Sequence, residues 1–100
     1  FAQNIYWVYG LVIKQKSDSN ADLIIKKLAN LGVGCRPFFY PLHLQPVLRS
    51  LGLFDNEEYP VSERISRCGF YVPSGLALDE NQILKVAHAT SKVIKDFFEM

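Results

Sequence analysis

The sequence predicts an α+β domain, a small sheet with helices packed against it, and three observations carry that reading. Short runs rich in β-branched and aromatic residues alternate with stretches whose apolar residues recur at helical spacing. Glycine or proline punctuates nearly every one of these runs. The resulting order is β, α, β, α, α, β, α, with no internal repeat and no linker.

Ile5 to Lys14 (IYWVYGLVIK) reads as the first strand, and its apolar run is too continuous for one wet face, so cover on both sides is expected. Gln15 to Asn20 make the turn, with Asp18 to Asn20 supplying capping side chains. Ile24, Leu28 and Leu31 then define a helix that ends at Gly32, a residue free to take the left-handed conformation. Gly34 to Phe39 form a second strand, stopped at Pro41. A short helix opens around Pro46, and its stripe of Leu44, Val47, Leu48 and Leu51 is expected to hug the core before Gly52. Asp55 to Glu58 are polar loop. Val61, Ile65 and Cys68, at i, i+4 and i+7, mark another short helix up to Gly69. Phe70 to Pro73 form a brief strand and Ser74 to Leu78 a loop. Asp79 and Gln82 have capping-box spacing and open the last helix, whose apolar face is Ile83, Val86, Ala87, Thr90, Val93, Ile94 and Phe97.

A chain of 100 residues, 49% of them apolar, can build one core and is no disordered tail. A net charge of +1 gives no electrostatic footprint for nucleic acid or an anionic membrane. The run from Tyr6 to Ile13 is far below the roughly 18 residues of a membrane span, and the start has no signal-peptide pattern. The opening at Phe1, already close to the first strand, suggests a piece of something longer. Cys35 and Cys68 have no metal-ligand spacing, so a reduced, cytoplasmic setting and no metal site are expected.

One segment concentrates chemistry. Cys35 to Pro46 (CRPFFYPLHLQP) places a guanidinium, a phenol and an imidazole at a strand end stiffened by three prolines. Arg36 can grip a carboxylate or phosphate as a fork, Tyr40 can bond a hydroxyl, and His43 can donate to a sugar oxygen or shuttle a proton. The structural alternative makes Arg36 a surface strand residue, Tyr40 a core aromatic and His43 a helix-start residue bonded to backbone. His88 reads as a flank residue of the last helix. Adjacent Glu57 and Glu58 cannot face one another as an acid–base pair. Ser74 lines a pocket or makes a turn, and none of the seven lysines sits in a sequence suggesting a buried, reactive amine. Arg67 to Val72 loosely matches the aromatic strand of RNA-recognition domains, but the match is short and the balanced charge argues against it.

Tyr6-Trp7-Val8-Tyr9, Gly32 to His43 (GVGCRPFFYPLH), Tyr59-Pro60-Val61-Ser62-Glu63 and Phe70 to Gly75 (FYVPSG) together resemble the DegT-type sugar-nucleotide aminotransferases, most of all their perosamine-synthase-like branch. The resemblance runs over nearly the whole chain, but only to the family's C-terminal small domain, of the aspartate-aminotransferase fold. It implies amino transfer from glutamate to a nucleotide-linked 4-keto-6-deoxy sugar, with pyridoxal phosphate as cofactor, in a homodimeric parent that supplies polysaccharide such as lipopolysaccharide O-antigen. In that family the cofactor's lysine and most of its ligands belong to the large domain. Residues 1–100 are then the small domain alone, its partner the missing large domain, and the chain by itself is expected to be inactive, with no catalytic residue. What carries over is the substrate-side rim: His43, Arg36 and Tyr40. Cys35 stands where the family commonly has Thr, and Phe70-Tyr71-Val72 replaces the more usual small-Leu strand. The alternative is a free-standing small-molecule or protein-binding α+β module in which the Arg36 to His43 loop is only structural.

Overall fold

A computed structural model describes residues 1–14 and 20–99. Its elements follow the expected order: β1 (Tyr9–Val12), α1 (Asp22–Asn30), β2 (Arg36–Pro37), a 3-10 turn (Leu42–Leu44), α2 (Pro46–Ser50), α3 (Pro60–Cys68), β3 (Gly69–Val72) and α4 (Glu80–Phe98). The three strands form one antiparallel sheet in the order β1-β3-β2. Tyr9 lies opposite Val72 and Leu11 opposite Phe70, while Arg36 pairs with Tyr71 and Pro37 with Phe70.

This register sorts the sheet's two faces. Leu11, Phe70 and Val72 share one face, and the core forms there: Phe70, Ile24 and Leu28 are fully buried, joined by Ile13, Val33, Cys68 and Val93. Helices α1 and α4 supply that cover and pack on each other. The α1 terminus closes as the sequence predicts. Gly32 takes φ +79°, its N–H donates to the Ala29 carbonyl, and Val33 N–H donates to the Leu28 carbonyl at 2.9 Å, the paired bonds of a Schellman end. At the other end Asn20 Oδ1 accepts from Asp22 N–H at 3.0 Å; the expected contribution of Asp18 lies outside the described residues.

The Asp79–Gln82 capping box is present in both directions. Gln82 N–H donates to Asp79 Oδ1 at 2.8 Å, and Asp79 N–H donates to Gln82 Oε1 at 2.9 Å. Asp79→Ala strips one donor of its partner and is expected to cost about 1 kcal/mol, read as a lowered urea midpoint with unchanged slope. An unchanged midpoint would show that water replaces the cap without loss.

Four expectations need correction. The first strand is four residues long rather than ten, and it is not covered on both sides: Ile5, Tyr6, Trp7 and Tyr9 are exposed, and only Ile13 is buried. Among the described residues the chain leading into β1 is left uncovered, and Tyr9 is exposed although its register opposite Val72 puts it on the core face. The second strand shrinks to Arg36–Pro37 because Pro37 lacks the N–H that would continue the ladder, although Phe38 N–H still donates to the Gly69 carbonyl at 3.2 Å. Helix α2 does not hug the core. It buries no residue, and Val47 and Leu51 point away from Leu44 and Leu48, which are half-buried. Ile83 and Ala87 of α4 are exposed as well, whereas Val86, Thr90, Val93, Ile94 and Phe97 are buried or half-buried as expected.

The exposed surface measures the same imbalance. It totals 7972 Å² for 11.4 kDa, whereas a compact protein of this mass exposes about 5,800 Å². The radius of gyration is 16.1 Å, against about 13 Å for a compact chain of 100 residues. No helix among the described residues is long and apolar enough to cross a membrane.

Candidate functional site

On the face of the sheet opposite the core, the side chains are unusual. Gly10 and Gly69 place no Cβ there, and the Phe38 ring lies across the bare backbone: an added Cβ on Gly10 would sit 2.9 Å from Phe38 Cζ, and one on Gly69 2.5 Å from Phe38 Cδ2. Tyr71 flanks that ring, with centroids 6.5 Å apart. Beside them runs an open groove of about 780 Å³, walled by Trp7 and Val8 from the chain leading into β1, by Phe38 and Tyr71, and by Tyr59, Val61 and Ile65 at the start of and along α3. A second, smaller groove of about 520 Å³ continues past Phe38 and Phe39 to Arg36, Tyr40, Ser66 and Asp22.

Of the residues singled out in sequence, Arg36 and Tyr40 line this face, whereas His43 lines neither groove. Arg36 is exposed on the edge strand, and its guanidinium makes no hydrogen bond or ion pair with any described residue. Tyr40 is 56% exposed, so it is no core aromatic; its carbonyl accepts from Gln45 Nε2 at 3.1 Å, which folds the proline loop back on itself. Both line the second groove. His43 is different. It is 6% exposed, its Nε2 lies 2.9 Å from Glu63 Oε1, and its ring meets the Tyr59 ring edge to face at 4.9 Å. The bond runs to a side chain on α3, not to backbone, and it ties the 3-10 turn to that helix. Tyr59 in turn donates its hydroxyl to Glu57 Oε1 at 2.9 Å, and this bond and the carboxylate's charge push the Tyr59 phenol above its ordinary value.

The remaining candidates take structural places. Ser74 Oγ donates to the Trp7 carbonyl at 2.6 Å and pins the chain entering β1. His88 is an exposed flank of α4, as expected. Among the described residues no group of His, Cys, Asp and Glu can hold a metal ion. Burial pushes the Cys35 thiol above its ordinary value, so at pH 8 it stays protonated more than a free cysteine does. Its alkylation by iodoacetamide, followed by peptide mass spectrometry, is therefore expected to be slow at pH 8 and to accelerate only at higher pH; labelling as fast as free cysteine would refute the burial.

Sequence reasoning missed Glu63 and the groove. Glu63 lay within a noted motif, Tyr59 to Glu63, and its placement one helical turn from Tyr59, facing a histidine 20 residues earlier, has no signature in one sequence. The groove had a signal: the run from Ile5 to Tyr9 carries more apolar surface than a four-residue strand with one packed face can use.

The model of the DegT/DnrJ/EryC1/StrS aminotransferase family matches residues 2–91. Two curated relatives are a GDP-perosamine synthase of Vibrio cholerae, 28% identical over 93 residues, and one of Caulobacter vibrioides, 26% identical over 92 residues. The alignments take in 93% and 92% of this chain, which spans only 24% of the length of either relative. With nine-tenths of its residues inside the family's pattern, the chain belongs to the DegT/DnrJ/EryC1/StrS aminotransferase family.

Proposed function

We propose that this chain is the C-terminal small domain of a sugar-nucleotide aminotransferase that moves an amino group from glutamate to a nucleotide-linked 4-keto-6-deoxy sugar. The family match over residues 2–91, with two GDP-perosamine synthases among the relatives, carries the reading and makes a GDP-linked sugar the substrate to try first. Glutamate leaves as 2-oxoglutarate and the sugar's keto carbon becomes an amine. The family's cofactor is pyridoxal phosphate, which supplies the electron sink for such a transfer. We assign the cofactor site and its lysine, as the resemblance implies, to a large domain elsewhere in the parent.

Its own residues serve the substrate side. Arg36, unpaired on the sheet edge, offers a two-pronged grip for phosphate oxygens. Tyr40, exposed at the loop's tip, bonds a sugar or ribose hydroxyl. His43 completes the rim and holds the loop in place. The uncovered apolar groove and the surplus surface fit a domain built to dock on a larger one within a dimeric parent, and they count against a free-standing module.

The deciding experiment incubates the full-length protein with pyridoxal phosphate, glutamate and a GDP-linked 4-keto-6-deoxy sugar. Formation of 2-oxoglutarate in step with the amino sugar is expected. If every nucleotide-linked keto sugar is left unaltered, the proposed activity is wrong.

A further inference from the structure

The geometry points to Glu63 as a positioning residue for substrate recognition: through Nε2 of His43 it fixes which ring nitrogen is left for the ligand and where the rim loop sits. The inference rests on the reading above, in which the loop from Arg36 to His43 borders the sugar-nucleotide.

Three observations carry it. First, the pairing is long-range and short: His43 and Glu63 are 20 residues apart, on the 3-10 turn and on α3, with 2.9 Å between Nε2 and Oε1. Second, it is sheltered. The His43 side chain is 5% exposed and Glu63 36%, and Tyr59 sets its ring edge to face against the imidazole at 4.9 Å, so the ring has no freedom to seek another partner. Third, among the described residues this bond is the side-chain hydrogen bond that joins the 3-10 turn to α3. Helix α2 buries no residue, and the 3-10 turn packs chiefly on α2. The His43–Glu63 bond is thus a principal tie between the rim loop and the body of the domain.

The consequence is chemical as well as mechanical. A carboxylate accepts only, so Nε2 must carry the proton that it donates to Glu63. In the neutral ring Nδ1 is then an acceptor. The bond to Glu63 occupies Nε2, and Nδ1 makes no hydrogen bond with any described residue, so it is the ring nitrogen left to accept from a ligand. Glu63 therefore makes neutral His43 an acceptor, suited to a sugar hydroxyl, rather than a donor to a diphosphate. This sharpens the role for His43: the anion falls to Arg36, the hydroxyl to His43.

The test uses the full-length enzyme with a GDP-linked 4-keto-6-deoxy sugar as substrate. Glu63→Ala is expected to raise KM for the sugar about tenfold, by analogy with the loss when the orienting partner of a metal-bound histidine is removed, while KM for glutamate stays put. Glu63→Gln keeps an acceptor oxygen and is expected to recover most of the loss. In Glu63→Ala combined with His43→Phe, the loss should match that of His43→Phe alone, since both act through one imidazole. 15N-histidine spectra, assigned with His43→Phe, should show the Nε2–H form in the wild type and a mixture in Glu63→Ala. An unchanged sugar KM, additive losses, or a His43 tautomer indifferent to Glu63 each overturn the proposal. A fall in melting temperature alone, with KM intact, does so too. A wild-type enzyme inert towards such sugars would instead sink the parent reading, and this inference with it.

Discussion

Gly69→Ala is expected to be the most destabilising single-methyl change in this domain. The added Cβ would collide with the Ile65 carbonyl oxygen and lie 2.5 and 2.7 Å from two carbons of the Phe38 ring. One obstacle is backbone within the last turn of α3, which cannot turn aside as a side chain can. Gly69 has φ −102° and ψ 146°, ordinary extended values, so the constraint is space and not backbone handedness. The change forces α3 and β3 apart at the centre of the sheet, next to fully buried Phe70. Overpacking of this kind costs about 3 kcal/mol, a large part of the roughly 5–15 kcal/mol that holds a domain folded. Gly10→Ala is the control. Its Cβ would meet only the tip of the Phe38 ring, at 2.9 and 3.2 Å, and a ring can swing away. It should cost about 1 kcal/mol and open the floor of the apolar groove instead. Denaturant midpoints of the two variants in the full-length protein decide the matter, and equal losses would mean that α3 yields as easily as a side chain.

The same two glycines show how far sequence carries this fold. Gly69 follows a helical stripe and reads as a helix stop, which it is, but the reason is out of reach of local pattern: a ring from residue 38 lies on it. The element order, the Gly32 terminus and the Asp79 cap were all legible, because each is set by residues within a few positions of one another. What failed was cover. Ile5 to Lys14 looks like a strand packed on both faces, and its composition suits that environment, but α1 and α4 cover one face, and on the other the Phe38 ring leaves an open apolar groove. Periodicity reports which surfaces are apolar and says nothing about whether the partner is in the same chain. The site divides likewise. Arg36, Tyr40 and His43 were visible as a cluster of chemistry on a stiff loop; that His43 turns inward to Glu63 while Arg36 stays unpaired is decided by α3, which the loop meets only in three dimensions.

Arg36→Ala in the full-length enzyme is expected to have the largest effect on function. Its register opposite Tyr71 on the edge of the sheet fixes the backbone from which the guanidinium projects, and the following Pro37, with no N–H to donate, keeps that edge from adding another strand. The side chain shares its groove with Tyr40, Phe39 and Tyr71 and has no partner among the described residues. An unpaired fork beside aromatic rings suits a diphosphate better than a neutral hydroxyl. Losing a charge-assisted contact worth about 1.5–3 kcal/mol should raise KM for the sugar-nucleotide roughly 10- to 100-fold, with KM for glutamate unchanged. Arg36→Lys keeps the charge without the fork and should fall between. Asp22 lines the same groove and carries the opposite sign, so Asp22→Asn should lower the sugar-nucleotide KM slightly by removing its repulsion of the phosphates. Added salt supplies a separate check: it should raise the wild-type KM and leave that of Arg36→Ala nearly flat, since only the former depends on an exposed charge pair. If Arg36→Ala binds the nucleotide as tightly as wild type at low salt, Arg36 is only a surface strand residue and the phosphates are held elsewhere.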